Sequence, residues 1–258
     1  MPVRRACKML RLPRSQYYYD SVKDDTEIIE AMQQLASDHP AYGFRKLYAY
    51  LRRAGKGWNH KKVYRVYKLL KLHKRRKMKR RLPQRVKQPL TQQSAPNLSW
   101  SMDFMSDSLA CGRKFRTFNI IDDHNREVLA IEVAVSIGAH RVIRTLNHVI
   151  ESKGKPKVIR VDNGPEFTSK ELQWWCLEQQ IQLQYIQPGR PMQNGFIERL
   201  NGSYRREVLD AYMFFDLEQV RLLTEQWIEE YNTRRPHEAL KNMTPVEYGN
   251  QFKNQIVT

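Results

Sequence analysis

A chain of 258 residues with 41% hydrophobic composition can bury one sizeable core and has room for a second, smaller domain. Its formal net charge of +18 is unevenly spread: residues 1–98 hold 25 Lys and Arg against 6 Asp and Glu, whereas residues 99–258 hold 20 against 21. No stretch approaches the roughly 20 apolar residues needed to cross a bilayer, the arginine-rich start lacks the apolar centre of a secretory signal, and Cys7, Cys111 and Cys176 form no Cys-x-x-Cys pair, so a cytoplasmic protein with reduced thiols and no membrane association is expected.

Arg4 to Tyr17 reads as a short helix, a turn around Leu12-Pro13 and a second helix capped by Ser15, which is helix-turn-helix spacing. Thr26–Ser37 carries Ile28, Ile29, Met32 and Leu35 at helical period, and Gly43–Ala54 repeats it with Phe44, Leu47, Tyr48 and Leu51. Asn59 caps a third helix, with Val63, Val66, Tyr67 and Leu70 on a packing face and Lys61, Lys62, Arg65, Lys68 and Lys71 on a cationic one. The basic run Lys74, Arg75, Arg76, Lys77, Lys79, Arg80 and Arg81 follows, then Pro83, Pro89 and Pro96 among Gln and Ser, the composition of an extended linker. This order divides the chain into a helical, helix-turn-helix-like DNA-binding region at 1–72, a basic linker at 73–98 and a nearly neutral body at 99–258. Excess positive charge confined to the first two segments is the footprint of polyanion binding, with Lys61, Lys62, Arg65 and the run from Lys74 to Arg81 as candidate backbone contacts.

From Ser99 the pattern becomes α/β. Strands are predicted at Trp100–Met105, Phe115–Asp122 and Val128–Val135, then a helix at Ala139–Glu151 and a strand ending at Asp162. A helix at Ser169–Gln180, a strand at Gln182–Gln187, a Pro/Gly loop from Pro188 to Gly195 and a helix bearing Glu198 come next. Leu217–Tyr231 makes a last helix with Leu222, Trp227 and Ile228 as core residues. A three-strand meander followed by alternating helices and strands predicts a mixed sheet flanked by helices.

Three carboxylates stand out in that frame. Asp103 interrupts the apolar run Trp100-Ser-Met-Asp-Phe-Met105, where an acid costs several kcal/mol unless it is paired or holds a metal. Asp162 ends a strand just before the turn pair Asn163-Gly164, and Glu198 lies on a helix with 35 residues between the two. Converging acids of this kind suit a pair of hard divalent cations, which take oxygen ligands and drive in-line phosphoryl displacement. Asp107, Asp122, Asp123 and Glu166 are rival ligands. Asp122 and Asp123 fall in a hairpin turn, and Asp107 falls where the first strand is expected to end.

The chain resembles the OrfB-type transposases of family-three insertion sequences, within the transposases and retroviral integrases that carry an Asp, Asp, Glu triad. The resemblance rests on Trp100-Ser-Met-Asp103, Val161-Asp-Asn-Gly-Pro-Glu-Phe167, Pro188-Gly-Arg-Pro-Met-Gln-Asn-Gly-Phe-Ile-Glu-Arg-Leu-Asn201 and Tyr231-Asn-Thr-Arg-Arg-Pro-His237, with Tyr42-Gly-Phe-Arg-Lys-Leu47 near the start. It implies a ribonuclease-H-like fold and an integrase-type catalytic core at 99–258 with a C-terminal helical extension. It also implies a polynucleotidyl transferase whose metal ligands and catalytic residues are Asp103, Asp162 and Glu198. Two Mg²⁺ ions roughly 3.5–4 Å apart, or Mn²⁺ in their place, would serve the attacking and leaving oxygens. Asn201 and Arg205, one and two turns past Glu198, are then expected to touch DNA near the cleaved bond. The implied partners are terminal inverted repeats, target DNA, other copies of the chain on DNA, and the product of an upstream reading frame as a fusion or companion. A nuclease that cuts without joining, or a DNA-binding regulator without activity, remains open on these residues.

Overall fold

Helical periodicity in the first part of the chain and alternation after residue 99 produce two units, Met1–Arg75 and Arg76–Thr258. The computed structural model describes residues 2–20, 24–73, 93–187 and 191–256. In the first unit α1 (Val3–Met9) and α2 (Arg14–Tyr17) precede three longer helices, α3 (Thr26–Asp38), α4 (Phe44–Arg53) and α5 (His60–Leu69). Ile28 and Met32 of α3, Leu47 and Leu51 of α4, and Val63, Val66 and Tyr67 of α5 share one small core. Asn59 caps α5 as expected, accepting from the Lys61 N–H at 2.9 Å. The helix-turn-helix expected over Arg4–Tyr17 needs correction. Pro13 stands at the N-cap of α2, Ser15 lies inside it, and the four-residue helix is a single turn, too short to lie along a groove.

The second unit is built on a five-stranded sheet in the order β3-β2-β1-β4-β5. Its strands are β1 (Ser99–Ser108), β2 (Lys114–Asp122), β3 (Val128–Ala134), β4 (Val158–Val161) and β5 (Gln182–Tyr185). The first three form an antiparallel meander, and β4 and β5 run parallel to β1. Two helices, α6 (Ala139–Lys153) and α7 (Lys170–Glu178), make the crossovers and cover one face. There Trp100, Met102, Phe118 and Ile120 pack against Val142, Leu146 and Leu172. Gly154, at φ +89°, ends α6 in a conformation side chains resist, and the Ser169 hydroxyl starts α7 by accepting from the Leu172 N–H at 3.4 Å.

The opposite face carries α8 (Gly195–Tyr204) and α9 (Leu217–Thr233), whose Ile197, Leu200, Tyr204, Val220, Trp227 and Tyr231 meet Phe115, Ile121 and Val133 of the sheet. A last helix, α10 (Pro245–Ile256), packs near α9. Leu222, expected in the core, is 56% exposed, because the buried stripe of α9 runs through Val220, Thr224, Trp227 and Tyr231 instead. Two further differences bear on function. β1 continues to Ser108, so Asp107 lies inside the strand, and α8 passes into a π-helical turn, Arg205–Leu209, closed by the Asp210 N–H donating to the Arg205 carbonyl at 2.7 Å.

Candidate active site

Alternation along β1 sends Trp100, Met102 and Phe104 toward α6 and α7, leaving Ser99, Ser101, Asp103, Met105 and Asp107 on the face under α8. Asp103 sits opposite Asn119 of β2. The parallel register of β1 with β4 pairs Ser101 with Arg160, and carried two residues onward it sets Asp162 beside Asp103. An Asx turn holds Asp162, whose Oδ1 accepts from the Gly164 N–H at 3.0 Å. A Cβ at position 164 would lie 3.0 Å from that same oxygen, so glycine keeps the carboxylate unobstructed.

The third carboxylate comes from α8, whose Ile197, Leu200 and Tyr204 anchor the helix and leave Glu198 exposed on its first turn. Arg126, from the β2–β3 hairpin, lies with its guanidinium 3.2 Å from the centroid of the Phe196 ring and so fixes the start of α8. One turn after Glu198, the Asn201 amide donates to Asp103 Oδ2 at 2.8 Å and accepts from Asn119 Nδ2 at 2.7 Å. The other oxygen of Asp103 accepts from the Phe104 N–H at 2.8 Å. Just before α8, Pro191–Asn194 forms a 3₁₀ turn, and Asn194 ties it to β1 by donating to the Met102 carbonyl at 3.3 Å. The second half of the expected Pro188–Gly195 loop is thus helical, and 188–190 lie outside the described residues.

Burial pushes the Asp103 carboxyl up to about 6, and the negative charges of Asp162 and Glu198 add to the shift. The Phe104 N–H and the Asn201 amide act in the opposite direction without cancelling it. Asp103 therefore feels the charge of both other acids, yet among the described residues no group of three His, Cys, Asp or Glu side chains is drawn into a metal-holding shell. The chemistry of the donor set does fit a hard divalent cation: three carboxylates, no cation among the described residues paired with any of them, and one acid whose ionised form is held at a cost that bound positive charge would relieve.

The rival acids have other partners. Asp107 accepts from Arg205 at 3.0 Å, and Glu166 pairs with Arg116. Asp122 accepts from the backbone N–H groups of Asn97 and His124, both at 2.8 Å. Asp123 takes the Ser99 and Ser101 hydroxyls at 2.9 and 2.6 Å and the Arg160 guanidinium at 3.0 Å. All the expected DNA-contacting residues among those described have protein partners except Lys61. Asn201 spends its amide on Asp103 and Asn119, and Arg205 donates to Asp107 and, at 2.9 Å, to the Ser106 carbonyl. Lys62 donates to the Asp24 carbonyl at 3.0 Å and Arg65 to Asp25 at 2.8 Å. Lys74, Arg75, Arg76, Lys77, Lys79, Arg80 and Arg81 lie outside the described residues.

Sequence reasoning missed Asn119, Asn194 and Arg126. The one signal for Asn119 is an amide between Phe118 and Ile120 in mid-strand, a position that otherwise demands an apolar residue.

Two family models described as integrase core domain match residues 93–191 and 179–245, and one described as HTH-like domain matches 23–81, which spans α3 to α5. The chain is 37% identical over 247 residues to the uncharacterized protein of insertion element IS407 from Burkholderia multivorans, covering 95% of this chain and 89% of that one. It is 25% identical to the putative transposase InsK of insertion sequence element IS150 from Escherichia coli, over 97% and 94% of the two chains. Among solved structures, the HTLV-2 integrase catalytic core domain in complex with magnesium matches 60% of this chain and 98% of its own, with a TM-score of 0.50 at 20% identity. A chain of the simian T-cell lymphotropic virus intasome matches 84% and 74%, with a TM-score of 0.55 at 18% identity. Both likenesses identify the ribonuclease-H-like fold.

Proposed function

Because the chain belongs to the OrfB-type transposases of family-three insertion sequences, we propose that it cleaves DNA at the ends of its element and joins the freed strand to a target, with Asp103, Asp162 and Glu198 as the catalytic carboxylates. The observation that carries this reading is Asp103, half-buried on the central strand and raised in proton affinity first by burial and further by two other acids that come from a different strand end and a helix. Nothing structural requires such an arrangement, and it works against the fold unless positive charge enters.

Integrase-core proteins generally depend on divalent metal, and these three side chains would hold it. When bound, Mg²⁺ neutralises charge on the phosphodiester and lowers the pKa of an attacking oxygen. The chain's own residues supply orientation. Phe104 and Asn201 hold both oxygens of Asp103, Asn119 holds Asn201, and the Asx turn at Gly164 fixes Asp162. No protein nucleophile is needed: the attacking oxygen belongs to water in cleavage and to a DNA 3′-hydroxyl in joining. Joining two ends calls for more than one catalytic site, so the working form is a homo-oligomer on DNA.

The test is incubation of the full chain with a labelled duplex bearing an element end, in Mg²⁺ and in EDTA. Cleaved and joined products in Mg²⁺ alone are expected. Cleavage without joining would reduce the protein to a nuclease, binding without cleavage would leave a regulator, and turnover in EDTA would remove the metal.

A further inference from the structure

Among its described residues the HTH-like segment contains three helices, each with an exposed side that can face DNA. We propose that α5 is the helix that enters the major groove of duplex DNA, with Lys61, Tyr64 and Lys68 as its contact stripe, while Lys62 and Arg65 serve as a structural tie to α3. The inference rests on the reading of the chain as a DNA-binding transposase and adds which surface holds the DNA.

The arrangement of α4 and α5 carries the first part. Gly55, at φ +79°, ends α4 with its N–H donating to the Arg52 carbonyl at 3.2 Å, and the next N–H, of Lys56, reaches back to Leu51 at 3.0 Å. Asn59 then opens α5. Two helices joined by a short glycine-bearing turn and backed by a third form a helix-turn-helix, whose second helix is the one that meets base edges.

Burial decides which side of α5 is available. Val63, Val66 and Tyr67 face the core, so Lys61 and Lys68 fall on the opposite side, with Tyr64 at the edge between that side and the packed one. Lys61 and Lys68, seven residues apart, lie nearly in line and about 10 Å from each other along the axis, the length of roughly three base-pair steps. Tyr64 stands between them, 40% exposed, its ring edge-on to Phe44 at 4.8 Å and beneath the Lys68 ammonium at 4.9 Å. An aromatic held in place by its neighbours loses little freedom on binding.

Charge selects the partner. No Asp or Glu occurs anywhere between Asp38 and Asp103, so α4, α5 and the turn joining them contain cations and no carboxylate. The acids that do reach α5 come from the start of α3. Asp25 pairs with Arg65 at 2.8 Å and with Lys62 at 3.7 Å, on the flank of the stripe. Among the described residues no acid pairs with Lys61 or Lys68. A face with unopposed cations around a polar aromatic is complementary to a polyanion that also offers base edges.

The experiment uses the full chain, 30-base-pair duplexes carrying an element end or a scrambled sequence, and a salt titration of binding. Replacing Lys61, Tyr64 and Lys68 together by Ala is expected to reduce the preference for the end duplex at least tenfold. The slope of log affinity on log salt should shrink by about 1.8, the value for two phosphate contacts. Replacing Lys62 and Arg65 by Ala should lower the melting temperature and leave that slope unchanged. The proposal is overturned if the triple variant, folded by circular dichroism, keeps both preference and slope, or if the Lys62 and Arg65 variant accounts for them. Mg²⁺-dependent cleavage of the end duplex by the unaltered chain is read in the same samples, so loss of this assignment and loss of the proposed activity are seen separately.

Discussion

Asp103, half-buried, and Asp123, fully buried, are acids on the α8 side of the same sheet, and desolvation raises the proton affinity of both, yet their surroundings are opposite in kind. Asp123 is enclosed by donors, two serine hydroxyls from β1 and the Arg160 guanidinium from β4, and so bonds the hairpin to the strands it caps. Two residues along β1 from Ser101, Asp103 has two amide donors and two further acids. Burial alone therefore does not distinguish a structural acid from a functional one. The sign of the neighbouring charges does.

The largest contrast should appear in activity. Asp103→Asn, Asp162→Asn and Glu198→Gln are each expected to reduce Mg²⁺-dependent cleavage and joining on the order of a thousandfold or more, because an amide is a poorer, uncharged ligand. DNA affinity, measured in parallel, should change little, and near-normal turnover of any one variant would remove that residue from the site. Asp107→Asn should stay active.

Stability should move the other way at Asp123. Asp123→Ala leaves two buried hydroxyls and a guanidinium without their acceptor, and thermal unfolding should show a loss of about 3 kcal/mol. An unchanged melting temperature would mean that the donor cage does not hold the hairpin.

Asp103→Asn should instead stabilise the metal-free protein, by about 2–3 kcal/mol at neutral pH. The folded carboxyl titrates at about 6 against an ordinary 3.8, so between these values the folded state binds more protons than the unfolded one. Stability of the unaltered chain from this group accordingly falls as pH rises from 4 to 6. The gain from Asn is complete above 6 and vanishes below 4. Melting curves at pH 4 and pH 7 check the sign, and a gain that is equal at both would refute the charge explanation.

The smallest effect is expected at Asn119→Ala, which leaves the Asn201 carbonyl oxygen unpaired and frees the amide that orients Asp103. About a tenfold rise in the Mg²⁺ concentration needed for half-maximal activity, at unchanged DNA affinity, should follow. Loss of DNA binding instead would show that Asn119 supports the fold rather than the carboxylate.

Much of this site was legible in the residues themselves. Asp103 stood out because an acid in an apolar strand needs a reason, Asp162 because Asn163-Gly164 ends its strand, and Asn59 as a cap because its side chain acts within one turn. Less local features were misread. Leu222 was assigned to the core because helical period leaves the stripe uncertain by a residue, and Arg4–Tyr17 has turn chemistry that resembles a helix-turn-helix but supports only one turn of its second helix. The π turn at Arg205–Leu209 carries no mark in composition. It lets Glu207 reach Arg235 and the Trp227 indole, at 2.9 Å, both far along the chain.

What the sequence by itself determined is local: periodicity, caps, turns, the charge partition between residues 1–98 and 99–258, and an acid, Asp103, set in an apolar strand where an acid is costly. Tertiary structure alone decided that Asp103 faces Asn119, that the Asn201 amide turns inward to join them, and that Asp25 occupies Lys62 and Arg65 while Lys61 and Lys68 remain open. Strand register and helix packing are set by the sum of many contacts across the sheet and the small helical core, so the partner of any one polar side chain is not written in its neighbours along the chain.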